Sequence, residues 1–477
     1  MAKEFDVAIM GAGIGGLTAA NVLRDSGKLL VVDKLFRPGG TSYSFKRNGY
    51  EFLTGPLGFS HPHFVNSSLK EMGIDQLNFN KKDYQFLAGD INITISGPLE
   101  HLEKELSKLY PHENVHSAVA ELKNIIEKVR GVFVHKDNVF NAIENEQVKE
   151  DLSPYFVPAS DYFSDFVEDE DLLNFLSGIG LTKSSDSTIA AAYMWDVLTE
   201  IGIWYPEGGF KSLIRNLYEP VKASISLRTG VEEISIHGDY YQLTTSKGVY
   251  AAKNVISNAD ANITAQLLSE GLQEDFKEFL DRRKEGGSVF TSYLGVDKSK
   301  IDTNRIRASH VLYYPYLDQS NHLKTNRFYE SEVEVSFISN YDNLAPEGRM
   351  AIMLRAPFAY DNCKFETKEK YYQFKEKTSI ELLEIIEPLI PNIVSNASVI
   401  DASTPLTYEV WGGRYRGSVP GWDWTDKIAT SMVKTPLDNF YLCGIYSFSI
   451  PFLGAFPTSL YSGKMAANYI IGKDSPS

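Results

Sequence analysis

The chain has little that would cross-link it or anchor it in a bilayer. Among 477 residues only Cys363 and Cys443 are cysteine, which excludes a disulfide framework and a cysteine-built zinc site and fits a reducing compartment. No apolar run reaches the ~18 residues of a spanning helix. The opening Met1-Ala2-Lys3-Glu4-Phe5-Asp6 has no signal-peptide core, so a cytoplasmic location is expected, with any membrane association peripheral. Positive charge is short: the net charge is −15. So acidic a surface repels phosphate backbones, and nucleic acid is not an expected partner. Histidine is sparse, and His61-Pro62-His63 has no accompanying ligands, so a loop role and no metal are expected. With 43% hydrophobic and 23% charged residues, the composition is that of a packed protein rather than a disordered one.

Aromatics, by contrast, are abundant at 12%, as either a large apolar ligand cavity or a Tyr/Phe-rich core would require. Residues 5–33 read as a βαβ unit: strand 5–10, glycine-rich turn 11–16, helix 17–26 and strand 29–33. Residues 64–200 read as mainly helical, with helices at 99–110, 115–129 and 170–177. Strands with hairpin turns at 237–239 and 246–248 fill 226–258. Short strands follow at 288–296, 334–339 and 350–355. A helix is expected at 378–390 with Ser379 as its cap and Pro391 as its stop, and a strand at 439–443 precedes a final helix at 459–471. Dinucleotide-type signals thus sit at the start, middle and end, the pattern of an interleaved architecture.

Gly11-Ala12-Gly13-Ile14-Gly15-Gly16 fits G-x-G-x-x-G between a strand and a helix, and Asp33 ends the next strand about 20 residues on. Gly11 permits the sharp turn, Gly13 lets a pyrophosphate approach the backbone, and Gly16 lets helix and strand pack closely. The helix N-terminus offers N–H donors and about half a positive charge. Asp33 can accept from ribose hydroxyls and would repel a 2′-phosphate. The loop Gly39-Gly40-Thr41-Ser42-Tyr43-Ser44 can follow a long dinucleotide with hydroxyl donors, and Gly55-Pro56-Leu57-Gly58 makes a further close turn. These features favour FAD over NAD.

Over nearly its whole length the sequence resembles the phytoene desaturase-like flavoproteins, which include carotenoid isomerases and retinol saturases. The resemblance is carried by the glycine string with Asp33, the 39–40 doublet, Gly55-Pro56, and Tyr205-Pro206-Glu207-Gly208-Gly209-Phe210. Further support comes from Gly230-Val231-Glu232-Glu233-Ile234, Val255-Ile256-Ser257-Asn258-Ala259-Asp260, Ser403-Thr404-Pro405-Leu406-Thr407 with Gly417-Ser418 and Gly421-Trp422, and the closing stretch from Tyr441-Leu442-Cys443-Gly444 to Ser462-Gly463-Lys464. It implies an α/β fold: a glutathione-reductase-like Rossmann FAD-binding domain (1–75, 201–285 and 400–477) interleaved with an α+β substrate domain of mixed sheet and helical cap (76–200 and 286–399). It implies non-covalent FAD held by Gly11, Gly13, Ile14, Gly15, Gly16, Asp33, Lys34, Gly39, Gly40, Thr41, Ser42, Pro56, Leu57, Val231, Asn258, Ala259, Gly444, Ala455, Phe456 and Thr458. The implied activity is desaturation, saturation or cis–trans isomerisation of C–C double bonds in a large apolar polyene or isoprenoid. Flavin amine oxidases, protoporphyrinogen oxidases and the non-catalytic Rab escort proteins share the architecture and are the alternatives. Two positions depart from the family: Leu53 replaces an acid that Glu51 is placed to substitute, and Thr458 replaces a glycine.

Glu409, Asp423 and Glu51 are the candidate acid/base groups. Arg414 and Arg416 are candidates to face the flavin or to cap a helix. Glu168-Asp169-Glu170-Asp171 reads as a solvated helix start, and Cys443 as a small buried filler. The aromatics Tyr155, Phe156, Tyr162, Phe163 and Phe166 fit either core packing or an apolar entrance touching a bilayer.

Overall fold

The computed structural model describes residues 2–472 except 89–90, 96, 134–145, 181–183, 282, 319, 341–343, 424–429 and 450–453. Two seven-stranded sheets organise them. In the first, Lys3–Met10 lies parallel between Leu29–Asp33 and Gly248–Ser257, and Ile225–Leu227 continues the sheet beyond Leu29–Asp33. Leu29–Asp33 is buried along its whole length, as a parallel strand covered on both faces by helices must be. Gly248–Ser257 serves two partners on its other side. Its first half closes an antiparallel hairpin with Tyr240–Thr245, and its last three residues pair in parallel with Phe440–Leu442.

The first helix, Ile14–Leu23, begins three residues before the expected Leu17, because Gly13 occupies the cap position. The final helix, Ala455–Ile470, also begins earlier than expected, directly after Gly454. These two helices pack backbone to backbone: a Cβ on Gly463 would overlap the Gly15 carbonyl oxygen and lie 3.0 Å from Thr18 Cβ.

The second sheet is mixed. Its order is Ala397–Ser403, Val289–Asp297, Arg349–Pro357, Val333–Ser336, His310–Tyr313, Tyr84–Ala88 and Ile91–Thr94, antiparallel except where His310–Tyr313 meets Tyr84–Ala88. Strand alternation gives it two different faces. Leu294, Val311, Val335, Ile352 and Leu354 pack outward against Leu382, Leu383 and Ile386 of helix Lys368–Ile386. Tyr84, Phe86, Tyr293, Leu312 and Met353 point inward and join the main core.

Two sequence expectations need correction. The helix expected at 378–390 runs from Lys368 to Ile386 and is capped by Thr367, which accepts from the Lys370 N–H; Ser379 lies in its interior, accepting from the Ser292 hydroxyl at 2.8 Å. Its first ten residues, Lys-Glu-Lys-Tyr-Tyr-Gln-Phe-Lys-Glu-Lys, are mostly charged, which hid the start. Residues 400–403, expected with the cofactor-binding segments, belong to a strand paired with Val289–Asp297. The described residues of 64–200 are mainly helical as expected; the exceptions are Phe79–Lys82, which pairs with Ile203–Pro206, and two strands that join the second sheet.

The helical cap includes Leu99–Leu109, Val115–Phe133, Glu170–Ser177 and Thr188–Asp196, with Leu122, Phe163, Leu172 and Trp195 fully buried. Tyr155 and Phe163 belong to this core, and Phe156, Tyr162 and Phe166 pack against it. Tyr155 and Phe163 are therefore core, while Phe156, Tyr162 and Phe166 stay half-buried.

Candidate functional site

The glycine turn lies where strand ends and helix starts from distant segments converge. Gly11 takes φ +101°, which a side chain would resist, and a Cβ on Gly16 would overlap the Gly11 carbonyl oxygen. The Gly39 N–H donates to the Ala12 carbonyl at 2.8 Å, bringing Gly40 to the turn: a Cβ on Gly40 would lie 3.4 Å from Gly13 Cα. Asn258 closes another side. A Cβ on Gly13 would lie 2.6 Å from Asn258 Nδ2, and one on Gly444 2.8 Å from Asn258 Oδ1. The turn, the glycine doublet, Asn258 and Gly444 thus form one backbone-lined cradle. Asp260 fastens its rim, accepting from the N–H groups of Asn262 at 2.9 Å and Tyr415 at 2.8 Å. Burial pushes its carboxyl above the ordinary value.

Helices Ile14–Leu23, Gly209–Tyr218 and Ala455–Ile470 all have glycine N-caps, no side-chain cap and no acid in the first turn. By contrast Asp169, Ser187, Asp260, Thr367 and Thr404 cap helices elsewhere. Uncapped N-termini leave N–H groups and positive partial charge for an anion. The three helices are linked: Asn21 Nδ2 donates to the Leu217 carbonyl at 2.7 Å, and Phe210 and Phe456 have ring centroids 5.8 Å apart.

Asp33 lies at one end of this region, 7% exposed. Its two carboxylate oxygens accept from the N–H groups of Ala12 and Leu35, both at 2.7 Å. Burial pushes this carboxyl up, against the pull of those N–H groups and of Lys34 and Arg37. The Thr229 N–H donates to the Asp33 carbonyl, and a Cβ on Gly230, beside Val231, would sit 3.6 Å from Lys34 Cβ. Asp33, Lys34 and Val231 are therefore grouped. Thr41 lies between this group and the Gly55 turn, whose Cβ would overlap the Thr41 carbonyl oxygen. Ser42 and Leu57 are buried beside it, and Pro56 is half-buried. Ala259 follows Asn258 with its N–H on Ser257 Oγ at 3.3 Å. At the other end, a Cβ on Gly454 would lie 2.8 Å from Ser60 Oγ, Thr458 is fully buried, and Phe456 stacks on Phe59 at 5.0 Å.

The sequence profile of the flavin-containing amine oxidoreductases matches residues 14–471. The chain belongs to that family. It is similar to an all-trans-retinol 13,14-reductase of Danio rerio, 25% identical across 98% of this chain and 86% of that protein. It is also similar to a chloroplastic prolycopene isomerase of Daucus carota, 24% identical across 98% and 80%. A putrescine oxidase variant shares the fold with a TM-score of 0.66 at 14% identity, covering 99% of this chain and 100% of that one. The family is one of FAD-dependent oxidoreductases, and the protein is an enzyme of that kind. The cradle fits FAD: glycine backbone and the Asn258 amide line it where a pyrophosphate would lie, the uncapped start of Ile14–Leu23 opens from it, and a buried carboxylate stands at one end.

The structure does not gather the three candidate acid/base groups. Glu409 is half-buried and accepts from the Tyr360 hydroxyl at 2.7 Å and the Arg416 N–H at 3.3 Å, tying two loops together. Asp423 donates its backbone N–H to the Lys284 carbonyl. Glu51 lines a small cleft with Tyr43, Tyr205, Phe210 and Lys211. Burial raises its pKa, but the Ser44 hydroxyl, Lys211 and Lys46 outweigh that and hold it below the ordinary carboxylate value. It is therefore anionic at neutral pH. Arg416 pairs with Asp361 at 2.6 Å, and the Arg414 guanidinium lies 5.9 Å from the Tyr446 ring. His61 stacks on Tyr193 at 6.5 Å. Asp169 caps Glu170–Ser177. Cys443 is 1% exposed, and burial holds its thiol protonated.

A polar cluster on the inner face of the second sheet was missed at sequence level. Arg355 Nε donates to Glu334 Oε2 at 2.9 Å, His310 Nδ1 lies 3.2 Å from Glu334 Oε1, and the His310 ring stacks on Tyr84 at 4.4 Å. Glu332 accepts from the Gly180 N–H at 3.1 Å and from the Tyr314 hydroxyl. Burial, then nearby Glu334, push the Glu332 carboxyl up to about 8. Although burial opposes it, Arg355 and His310 hold Glu334 down at about 2. The signal was the alternation Glu330-Ser331-Glu332-Val333-Glu334-Val335-Ser336. Such a pattern reads as an edge strand with one wet face, whereas this strand has a neighbour on each side.

Proposed function

We propose that this FAD enzyme carries out redox chemistry on C–C double bonds of a large apolar polyene or isoprenoid. The observation that carries the reading is the full-length similarity to enzymes named for retinol and prolycopene, on a fold whose inner sheet face is lined by Tyr84, Phe86, Tyr293, Leu312 and Met353. Bound flavin supplies a hydride acceptor or donor. The residues Gly11–Gly16, Gly39–Gly40 and Asn258 are assigned to the pyrophosphate, Asp33 to the ribose hydroxyls, and Ala455, Phe456 and Thr458 to the flavin end. Asp33 orients the nucleotide by fixing its ribose. The aromatic wall excludes water and aligns the substrate, and alignment alone is worth up to ~7–11 kcal/mol of a barrier.

The cofactor-binding unit is assigned to segments near 1–75, 201–285 and 404–477, with the intervening chain as substrate domain. No described helix is long and apolar enough to cross a membrane. Delivery of so apolar a substrate is assigned to peripheral contact with the membrane that dissolves it, because transfer from lipid to an apolar wall gains little free energy. The test is incubation of FAD-loaded protein with a polyene panel under oxidising and reducing conditions, followed by chromatography. Conversion of one polyene supports the reading. Turnover of amines with no polyene converted overturns it.

A further inference from the structure

Single apolar side chains scattered over a surface are ordinary and need no explanation. Here they are gathered. Among the described residues, the three most exposed large apolar side chains are Val410 and Trp411, each 58% exposed, and Phe36 at 56%. They come from two distant segments that meet in the fold: a Cβ on Gly413 would lie 3.0 Å from Lys34 Nζ, and one on Gly412 3.2 Å from Thr41 Cγ2. Helix Pro405–Gly412 commits its other side chains inward. Leu406 packs against the core on the outer side of the second sheet, the Tyr408 and Thr291 hydroxyls share a hydrogen bond at 2.6 Å, and Glu409 is held by Tyr360 and Arg416. Val410 and Trp411 are turned to solvent.

Cations flank these side chains. The Arg37 guanidinium lies 5.2 Å from the Phe36 ring centroid. The Arg228 N–H donates to the Leu35 carbonyl at 2.8 Å, and beside it Lys247 Nζ donates to the Leu227 carbonyl at 2.6 Å. Lys34, Arg228 and Lys247 are exposed, and Arg37 is half-buried. The acids here are fewer or turned inward. Asp33 is 7% exposed with both oxygens on backbone N–H groups, and only Glu232 and Glu233, on the adjoining hairpin, are exposed. Four cations thus stand against two exposed acids, in a chain whose net charge is −15. Arg37 also lies against the Tyr43 ring, and Tyr43 lines the small cleft at Glu51, so the patch borders that cleft.

We propose that Phe36, Val410 and Trp411, with Lys34, Arg37, Arg228 and Lys247 around them, form the face by which this protein docks on an anionic membrane leaflet. The inference rests on the peripheral delivery described above and gives it a location. Tryptophan and phenylalanine rings enter the headgroup layer of a bilayer, while each lysine or arginine near an anionic leaflet strengthens binding roughly fivefold. Charge also sets the orientation: the acidic remainder of the surface is repelled by such a leaflet, so this face is the one that approaches. An acidic protein would answer the cations as well. A stable protein interface, however, buries ~20–30 residues a side around a packed apolar core, whereas shallow insertion into lipid needs only a few projecting apolar groups flanked by cations.

The experiment measures sedimentation of FAD-loaded protein with vesicles of phosphatidylcholine, alone or with about 30% phosphatidylglycerol. The anionic vesicles should bind at least ~10-fold more protein, and ~0.5 M salt should remove most of that difference. Tryptophan emission should shift to the blue on binding and be quenched by lipids brominated on their acyl chains. Trp411→Phe should still bind but lose that response. Phe36→Ser combined with Trp411→Ser should weaken binding at least ~10-fold with the flavin absorbance unchanged. Wild-type protein that ignores anionic vesicles, or binds neutral ones equally well, overturns the inference, as does a flavin-loaded double variant that binds like wild type. An emission change at Trp411 produced by an acidic flavodoxin and not by vesicles would give the patch to a protein partner, and one that follows protein concentration alone would give it to a second copy; either result overturns the inference. No substrate is present, so failure of docking leaves the polyene reading standing, and failure of the polyene panel leaves the docking face standing.

Discussion

Glu332 gives the sharpest test of the electrostatics. Its carboxyl is raised from 4.5 to about 8 in the folded protein, so between those values the folded state holds a proton that the unfolded chain has lost. Stability is therefore full at low pH and declines as pH rises, until the folded group also ionises near 8. Nearby groups limit the clean part of this window. His310 is pushed down by burial, so its contribution changes only below about 6.5. Glu334, held at about 2, matters only in acid, and Tyr314 is pushed well above 10. From pH 6.5 to 8, Glu332 alone should cost about 1.5 pH units at ~1.36 kcal/mol each, or about 2 kcal/mol. Its partial exposure reduces that toward ~1 kcal/mol. Glu332→Gln keeps an oxygen for the Gly180 N–H and the Tyr314 hydroxyl but cannot ionise. Urea midpoints measured across that range should fall for wild-type protein and stay flatter for the variant by that difference. Parallel curves would refute the account of the cluster.

Gly16→Ala should abolish flavin retention and lower stability by several kcal/mol, because the new methyl overlaps the Gly11 carbonyl; the absorbance ratio at 450 and 280 nm, about zero if correct, reads it directly. Asp33→Ala should weaken FAD binding by ~10-fold or more, and an unchanged dissociation constant in fluorescence titration would remove the ribose assignment. Glu409→Gln should lower the melting temperature by a few degrees, through the weakened Tyr360 and Arg416 contacts, while kcat changes by less than ~3-fold. A fall in kcat of ~100-fold or more, with folding intact, would return Glu409 to the chemistry.

The cofactor cradle was legible in sequence because backbone geometry dictates its residues. Gly11, Gly13, Gly16, Gly40 and Gly444 stand where a side chain would collide or a left-handed φ is needed, and few other residues fit there. Asp33 was legible because it ends the strand after the glycine turn at the spacing that a ribose-binding acid takes. The start of Lys368–Ile386 was hidden because its mostly exposed first half is dominated by charged residues, and of its rings only Tyr371 and Phe374 are half-buried. Glu332 and Glu334 were hidden because local alternation describes which face a residue takes, not what covers that face. Arg355 and His310, which stabilise Glu334, come from strands remote in sequence, and their pairing exists only once the sheet has formed. Glu409 stood out beside a motif, and the structure gives it contacts with two loops.

The union of Gly463 with Gly15 and the pairing of Phe440–Leu442 against Gly248–Ser257 also bear on how the chain comes into being. During synthesis the amino-terminal strand and its glycine turn leave the ribosome hundreds of residues before the partners that complete them. Until then the nascent polypeptide exposes the greasy flank of helix Ile14–Leu23 and an unfinished sheet margin, surfaces that invite aggregation. Chaperone capture, rather than stepwise domain-by-domain maturation, is the expected biogenesis of such a chain, and removal of the last thirty or so residues should yield insoluble protein rather than a shortened enzyme.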